Sequence, residues 1–422
     1  MIKPKQTIRY WGRKAGFIAK EYILSYSKED EVVLDPFGGS GSIAKEALIN
    51  NRKVIYNDLN PLAFLIAKVE IKGAGKEFLK AASKVISRKR VYFLDKLSRR
   101  RWIKVSSLYS CQGKEIKYFV WDKEKIIDSK PECDDEIPSY ESLIEEPLYY
   151  YPKAMFYYED GSKFYKKRQV DRVDELFTKR NLLILSSLLK DIKRAKTDQD
   201  TKDALYYAFA SILFQASKMS RINAGSWGIN SYWIPQVHLE KNPYVLFKNA
   251  LKKISLIKPL ALRTSYNVKD IEKGAQIVFL NQDAAELNIP DSYVDLVITD
   301  PPFTDEIQYF ELSYLAASWL GMKLPFEKEI IVNPNQNKSI KRYFDMLSKS
   351  FEAIYRVLKP GGHAVIMFHE EDENGVLKIK ELLQKAGFII ENVDLQYMQQ
   401  RKIGERNESK GKELLVFTCS KQ

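Results

Sequence analysis

The stretch Val32-Val33-Leu34-Asp35-Pro36-Phe37-Gly38-Gly39-Ser40-Gly41 decides the fold. Its first four residues are a short apolar run, read as a buried strand, and a helical pattern follows from Ser42 to Asn50. A second apolar run, Val54-Ile55-Tyr56, ends at Asn57-Asp58, and Pro61 opens another helical stretch. Strand, Gly-rich turn, helix and strand in that order open a doubly wound α/β sheet. Glycine lacks a Cβ, so such a turn lets backbone approach a ligand closely. The spacing Phe37-x-Gly39-x-Gly41 is shorter than the dinucleotide fingerprint, and no lysine closes the turn as in a phosphate-binding loop. The turn therefore suits a nucleoside ligand without a pyrophosphate. Asp58 ends the second strand, where an acid can accept hydrogen bonds from both ribose hydroxyls.

The alternation stops for about two hundred residues and then resumes. Gln276–Leu280 and Val294–Thr299 read as strands, the second ending in Asp300-Pro301-Pro302-Phe303. A helix is expected over Phe351–Leu358, a turn at Lys359-Pro360-Gly361-Gly362 and a strand over His363–Phe368. Lys378–Ala386 reads as a helix stopped by Gly387. Phe388–Val393 and Leu414–Thr418 complete seven strands, the last two an antiparallel pair because no helix separates them.

Asp300-Pro301-Pro302-Phe303 leaves the sheet at its carboxyl edge, where ligands bind in open α/β sheets. An exocyclic amine conjugated to a purine is a poor nucleophile because its lone pair is delocalised. Acceptors at Asp300 and at the carbonyl of Pro301 would bind its two hydrogens and draw the nitrogen toward tetrahedral geometry. Two prolines fix that backbone in advance, and Phe303 would offer a flat face to an extruded base. Alone the tetrapeptide is also a plain strand-ending turn. Its place after a cofactor turn gives it meaning.

The two motifs, Asp35-Pro36-Phe37-Gly38-Gly39-Ser40-Gly41 and Asp300-Pro301-Pro302-Phe303, resemble motifs I and IV of the amino-methylating DNA methyltransferases. Within that group the chain is similar to a prokaryotic set of adenine-specific enzymes, many with a zinc ribbon in an insertion. Arg9-Tyr10-Trp11-Gly12-Arg13-Lys14, Phe177-Thr178-Lys179-Arg180-Asn181-Leu182 and Tyr309-Phe310-Glu311-Leu312-Ser313 carry the same likeness. The resemblance implies a seven-stranded, Rossmann-like sheet of the class I methyltransferase type and S-adenosyl-L-methionine as cofactor. It implies cofactor contacts at Asp35, Phe37, Gly39, Gly41 and Asp58, with Asp283 near the adenine and Arg13–Ile23 over the methionine end. The reaction it implies is methyl transfer to N6 of adenine in DNA, with Asp300, Pro301, Pro302 and Phe303 as the catalytic set. N4 of cytosine, N2 of guanine in RNA and a catalytically dead DNA-binding protein are the alternatives.

Three features depart from the family pattern. Ala15 stands where proline is usual after the basic pair, and the insertion precedes the strand that leads to Asp283. The ribbon, expected around 105–135, looks decayed. Cys111 and Cys133 belong to no C-x-x-C pair, and only His238, His363 and His369 are left as further ligands besides Cys419. No metal is therefore expected, and His363 and His369 read as structural.

The catalytic domain is expected over 1–71 and 274–422, with an inserted domain over 72–273 for DNA binding and target recognition. The net charge of +13 favours a polyanionic partner. Lys84 to Lys125 holds 13 Lys or Arg against 4 Asp or Glu. Arg99, Arg100, Arg101 and Lys104 are its candidate phosphate contacts, with Trp102, Tyr118, Phe119 and Trp121 interleaved. Pro131 to Glu146 carries seven acids and no base and reads as a solvated loop. Val173–Ala195 and Thr201–Met219 read as amphipathic helices, and the aromatic cluster Ser226–Trp233 as core packing. Three scattered cysteines, a polar N-terminus and the lack of any membrane-length apolar run lead to the expectation of a cytoplasmic protein with no membrane partner. Nothing resembles a nuclease, so a restriction role would need an endonuclease on a separate chain.

Overall fold

The computed structural model describes residues 10–11, 16–87, 93–94, 102–103, 107–111, 114–116, 147, 149–166, 168–220, 231–235, 237–261, 263–305, 307–368, 373–398 and 412–422. The chain divides into two compact units. The sheet unit holds 10–72, 259–310 and 324–422, and the inserted unit holds 73–258 and 311–323.

The sheet unit runs α1 (Gly16–Tyr26), β1 (Val32–Asp35), α2 (Ser42–Ile49), β2 (Lys53–Asn57), α3 (Pro61–Lys72), β3 (Thr264–Ser265), β4 (Ile277–Leu280) and β5 (Val294–Thr299). It continues through α4 (Ile340–Val357), β6 (Leu358–Phe368), α5 (Glu373–Lys385), β7 (Ile389–Met398) and β8 (Lys412–Ser420). The sheet has eight strands in the order β7-β8-β6-β5-β1-β2-β4-β3. The strands from β6 to β3 pair in parallel. β8 lies antiparallel between β6 and β7. The expected count of seven is corrected by β3, a two-residue edge strand paired with Ile277 and Val278 of β4. Thr264 and Ser265 are half-buried and polar, so no apolar run announces them.

Alternate residues of the central strands serve opposite faces. Val32, Leu34, Ile55, Val278, Leu280 and Val297 join a core with α4, in which Tyr343, Leu347, Phe351 and Ile354 form one apolar stripe. Val33, Val54, Tyr56, Ile277, Phe279 and Leu296 join a second core with Ile18 and Ile23 of α1 and Ile43 and Ala47 of α2. Burial on both faces explains why β1 reads as a continuous apolar run and not as an alternating one. Ser339 caps α4 by accepting from the Arg342 N–H, which sets the helix start eleven residues before the expected Phe351. Lys359-Pro360-Gly361-Gly362 is not a separate turn. It lies within β6, where the pairing with β5 shifts register and Gly361 takes φ +74°.

The inserted unit begins at 73 and gives back 259–273, which carry β3, while 311–323 fall outside the sheet unit. The expected limits of 72 and 273 are corrected accordingly. Helices Phe78–Ser87, Lys179–Arg194, Gln199–Ala216 and Pro243–Ile254 form its packed body. Thr178, Asp198 and Asn242 cap the last three. Strand Ser107–Cys111 pairs antiparallel with Val237–Lys241. Arg99, Arg100, Arg101, Lys104, Cys133 and His369 lie outside the described residues. Among the described residues there is no group of three His, Cys, Asp or Glu that could hold a metal, and no helix is long and apolar enough to cross a membrane.

Candidate cofactor and catalytic cleft

Strand order reverses at β1, which has β2 on one side and β5 on the other. The carboxyl ends of these strands are therefore where a doubly wound sheet opens a crevice. One cleft lies there, with about 890 Å³ of space including its open mouth. Of the residues singled out in the sequence, Asp35, Phe37, Gly39, Asp58, Asp283, Asp300 and Pro302 line it. Tyr10, Trp11, Asn60, Tyr309, Lys328 and Glu329 line it as well.

The turn after β1 is held by contacts that only glycine permits. Gly38 N–H donates to the Asn57 carbonyl at 2.8 Å, and a Cβ there would stand 2.3 Å from Tyr56 Cε2. Gly39 takes φ +49° and its N–H donates to Asp58 Oδ2 at 2.7 Å, while Tyr56 Oη donates to the Gly39 carbonyl at 2.6 Å. Asp58 Oδ1 accepts from Asn60 N–H at 2.7 Å. Each carboxylate oxygen has a second lone pair left for a ligand. Asn57 joins three strand ends: its Nδ2 donates to the carbonyls of Pro36 and Gln282, and its Oδ1 accepts from Gln282 N–H. That last link carries the chain to Asp283, whose Oδ1 accepts from Ala285 N–H and which lies 3.9 Å from Lys328 Nζ.

Burial raises the proton affinity of Asp35 and Asp58. Asp35 is 1 % exposed; burial pushes its carboxyl up to about 8, against the lowering effect of the Thr299 hydroxyl on Oδ1 at 2.8 Å. Its Oδ2 has no hydrogen-bond partner among the described residues. Burial pushes Asp58 up to about 6, against the N–H groups of Asn60 and Gly39. Tyr10 is buried, its hydroxyl is held far above the ordinary tyrosine range by burial, and it accepts from Asn60 Nδ2. Its ring stacks on Tyr309 at 6.0 Å.

The loop after β5 is fixed from behind. Tyr343 Oη of α4 donates to the Pro302 carbonyl at 2.9 Å, and Val332 N–H donates to the Thr304 carbonyl at 2.7 Å. Phe303 corrects an expectation: it is 6 % exposed and meets Phe368 edge-on at 4.9 Å, in the core and not in the cleft. It anchors the loop where a platform for a base was expected. Pro301 is likewise buried outside the cleft lining. Gly41, expected at the cofactor, instead lets α2 begin against α3: it takes φ +77°, and a Cβ would meet Ala67 Cβ at 3.1 Å.

These elements coincide with what sequence comparison finds. A DNA methylase profile of the N6/N4 type matches residues 13–69 and 294–421, the two parts that carry β1, β2, β5 and the strands beyond. The match is to a methylase. A curated relative, an orphan methyltransferase of Bacillus amyloliquefaciens, is 49% identical over 43 residues, 10% of this chain and 16% of that protein. The chain thus spans about a sixth of that relative's length. Among solved structures, a TehB-like methyltransferase of Corynebacterium glutamicum covers 98% of this chain and 90% of its own, at 9% identity and a TM-score of 0.31. The N-methyltransferase NodS of Bradyrhizobium japonicum covers 36% and 58%, at 9% identity and a TM-score of 0.21. Both structural likenesses are weak.

S-adenosyl-L-methionine is the cofactor of such a methylase, and the cleft fits it. The ligand carries a sulfonium and an ammonium, and the cleft is lined by four acids, Asp35, Asp58, Asp283 and Asp300. A buried carboxylate oxygen of Asp35 still open to a donor is what a cationic ligand would satisfy. Sequence reading missed Gly38, Asn57, Asn60 and Lys328. The steric demand on Gly38 comes from Tyr56 of the neighbouring strand, which sequence spacing alone does not show.

Proposed function

We propose that the chain transfers a methyl group from S-adenosyl-L-methionine to the exocyclic N6 amine of adenine in DNA. The observation that carries this reading is Asp300, at the end of β5, lining the same cleft as Asp58 and Asp35 on a loop locked by Tyr343 and Phe303. When bound, the cofactor supplies an electrophilic methyl on a sulfonium. Asp58 holds the ribose hydroxyls, Gly39 admits the nucleoside beside the turn, and Asp283 faces the adenine. Asp300 accepts one amino hydrogen of the target base, and a loop carbonyl takes the other. Fixed acceptors of this kind localise the nitrogen lone pair with little reorganisation. The methylated ammonium is acidic enough to lose its proton to water, so no dedicated base is needed. Of the aromatic residues lining the cleft, Tyr309 takes over the base-stacking role first expected of Phe303, which is in the core. The inserted unit supplies the grip on DNA and the choice of site.

The N6/N4 character of the family match keeps cytosine N4 as the second reading. Incubation of purified protein with labelled cofactor and unmethylated DNA, followed by nucleoside analysis, tests both. Label in N6-methyl-2′-deoxyadenosine supports the proposal, label in N4-methyl-2′-deoxycytidine selects the second reading, and unlabelled DNA rejects both.

A further inference from the structure

The inserted unit contains a second cleft, lined by basic and aromatic side chains and built on a buried acid. Its lining includes Lys163, Tyr165, Lys166, Arg168, Asp171 and Trp233. Tyr165 is 39% exposed and Trp233 42% exposed, so both offer ring surface to a ligand. Arg168 packs its guanidinium over the Tyr157 ring at 5.6 Å and its Nη1 donates to the Phe164 carbonyl at 3.2 Å. Its Nε is buried with no hydrogen-bond partner among the described residues and lies 3.8 Å from Asp171 Oδ1.

The backbone beneath this surface is held rigidly. Glu311 has no exposed surface, and its carboxylate accepts the N–H groups of Tyr165 and Lys166, each at 2.8 Å, and the hydroxyl of Tyr158. Tyr232 donates its hydroxyl to the Glu311 carbonyl and stacks on Phe156 at 4.3 Å. Phe164 packs inward on Phe156, Tyr158 and Tyr314. With Phe164 turned in, Lys163 and Tyr165 are turned out. A buried carboxylate thereby fixes the backbone at Tyr165, which is exposed, and at Lys166, which is half-buried, and a merely solvated charged surface does not require that.

We infer that this cleft binds a strand of DNA at an unpaired base, with phosphates on Lys163, Lys166 and Arg168 and a base face on Trp233 or Tyr165. The inference rests on the proposed function and deepens it. Methylation of a ring amine requires the base to leave the stack, and the strands around an extruded base have unstacked faces. Three cations against one acid suit phosphates, and exposed rings beside them suit base faces, which an intact duplex covers.

The test uses the full-length protein and a fluorescein-labelled, mixed-sequence single-stranded dodecamer, with anisotropy read across salt concentrations. K163Q/K166Q/R168Q should flatten the slope of log affinity against log salt by about 2 units, at about 0.7 per phosphate contact on a single strand. W233A should weaken strand binding by roughly 5- to 150-fold, the equivalent of about 1–3 kcal/mol for one stacked base. W233F should retain most of it. Thermal midpoint and cofactor affinity should match the wild type in all three, which separates lost contacts from lost folding. Wild-type slope and affinity in both the triple variant and W233A would overturn the inference, as would a wild-type protein that does not bind the strand. Methylation of duplex DNA is measured in parallel. Strand binding that responds to the variants without any DNA methylation keeps this surface and removes the catalytic reading instead.

Discussion

The cleft of the sheet unit is lined by Asp35, Asp58, Asp283 and Asp300, and that of the inserted unit by Lys163, Lys166 and Arg168. Both are supported from beneath by buried polar side chains: Asn57 ties three strand ends below the first, and Glu311 fixes two backbone N–H groups below the second. The charges differ because the ligands differ. A sulfonium-bearing nucleoside is drawn by acidic groups whose desolvation it relieves, whereas a polyanion is drawn by cations that displace its counterions. Burial pushes Asp35 and Asp58 upward in proton affinity, so their state depends on pH, whereas the grip of the cations depends on salt.

The comparison breaks most sharply at Asp300. D300A should bind cofactor nearly normally and lose methyl transfer by about 10²–10³, the cost of one preorganised hydrogen-bonding group at a reacting centre. Single-turnover transfer beside calorimetric cofactor binding reads the two separately. D58A should move the other quantity, weakening cofactor binding by about 1–3 kcal/mol while DNA affinity stays in place. Because burial raises Asp58 to about 6, cofactor affinity of the wild type should also fall as pH drops through 6, where the acceptor becomes protonated.

How much of this was legible in the sequence follows from the same contrast. β1, β2, β4 and β5 are buried on both faces, so their apolar runs stand out, and the acids at their ends follow from where those runs stop. β3 gives no such signal, since an edge strand of Thr264 and Ser265 has nothing apolar to bury. Phe303 misled because an aromatic after Pro-Pro reads alike whether it turns toward a ligand or, as here, toward Phe368. The basic cleft was legible only as the charges from Lys166 to Arg168. Its floor depends on Glu311, 145 residues away from Lys166, and no local pattern shows that pairing.

Smaller effects sharpen the contrast further. Asp35 ionises at about 8 in the folded protein and near the ordinary carboxyl value when unfolded. The folded state therefore holds the extra proton between those values. Its contribution to stability is full at acid pH and is lost as pH rises toward 8, at up to about 1.4 kcal/mol per pH unit. D35N should remove that slope from denaturant unfolding of the cofactor-free protein; an unchanged slope would place the charge elsewhere. Neutralising Arg99, Arg100 and Arg101 together should flatten the salt dependence of duplex binding by about 2–3 units for all sequences alike, with cofactor affinity unmoved. The smallest effect is expected from chelation. EDTA should leave the melting temperature and activity as they were, and elemental analysis showing one zinc per chain would refute the decayed ribbon.

In the proposed reaction Asp300 and the cofactor cleft act together on the amine of adenine. The most direct test is mass spectrometry of nucleosides from DNA treated with wild-type protein or D300A in the presence of methyl-deuterated S-adenosyl-L-methionine. Deuterated N6-methyl-2′-deoxyadenosine is expected with the wild type and nearly none with D300A, at equal cofactor occupancy. Equal amounts from both proteins, or deuterium only in another nucleoside, would contradict it.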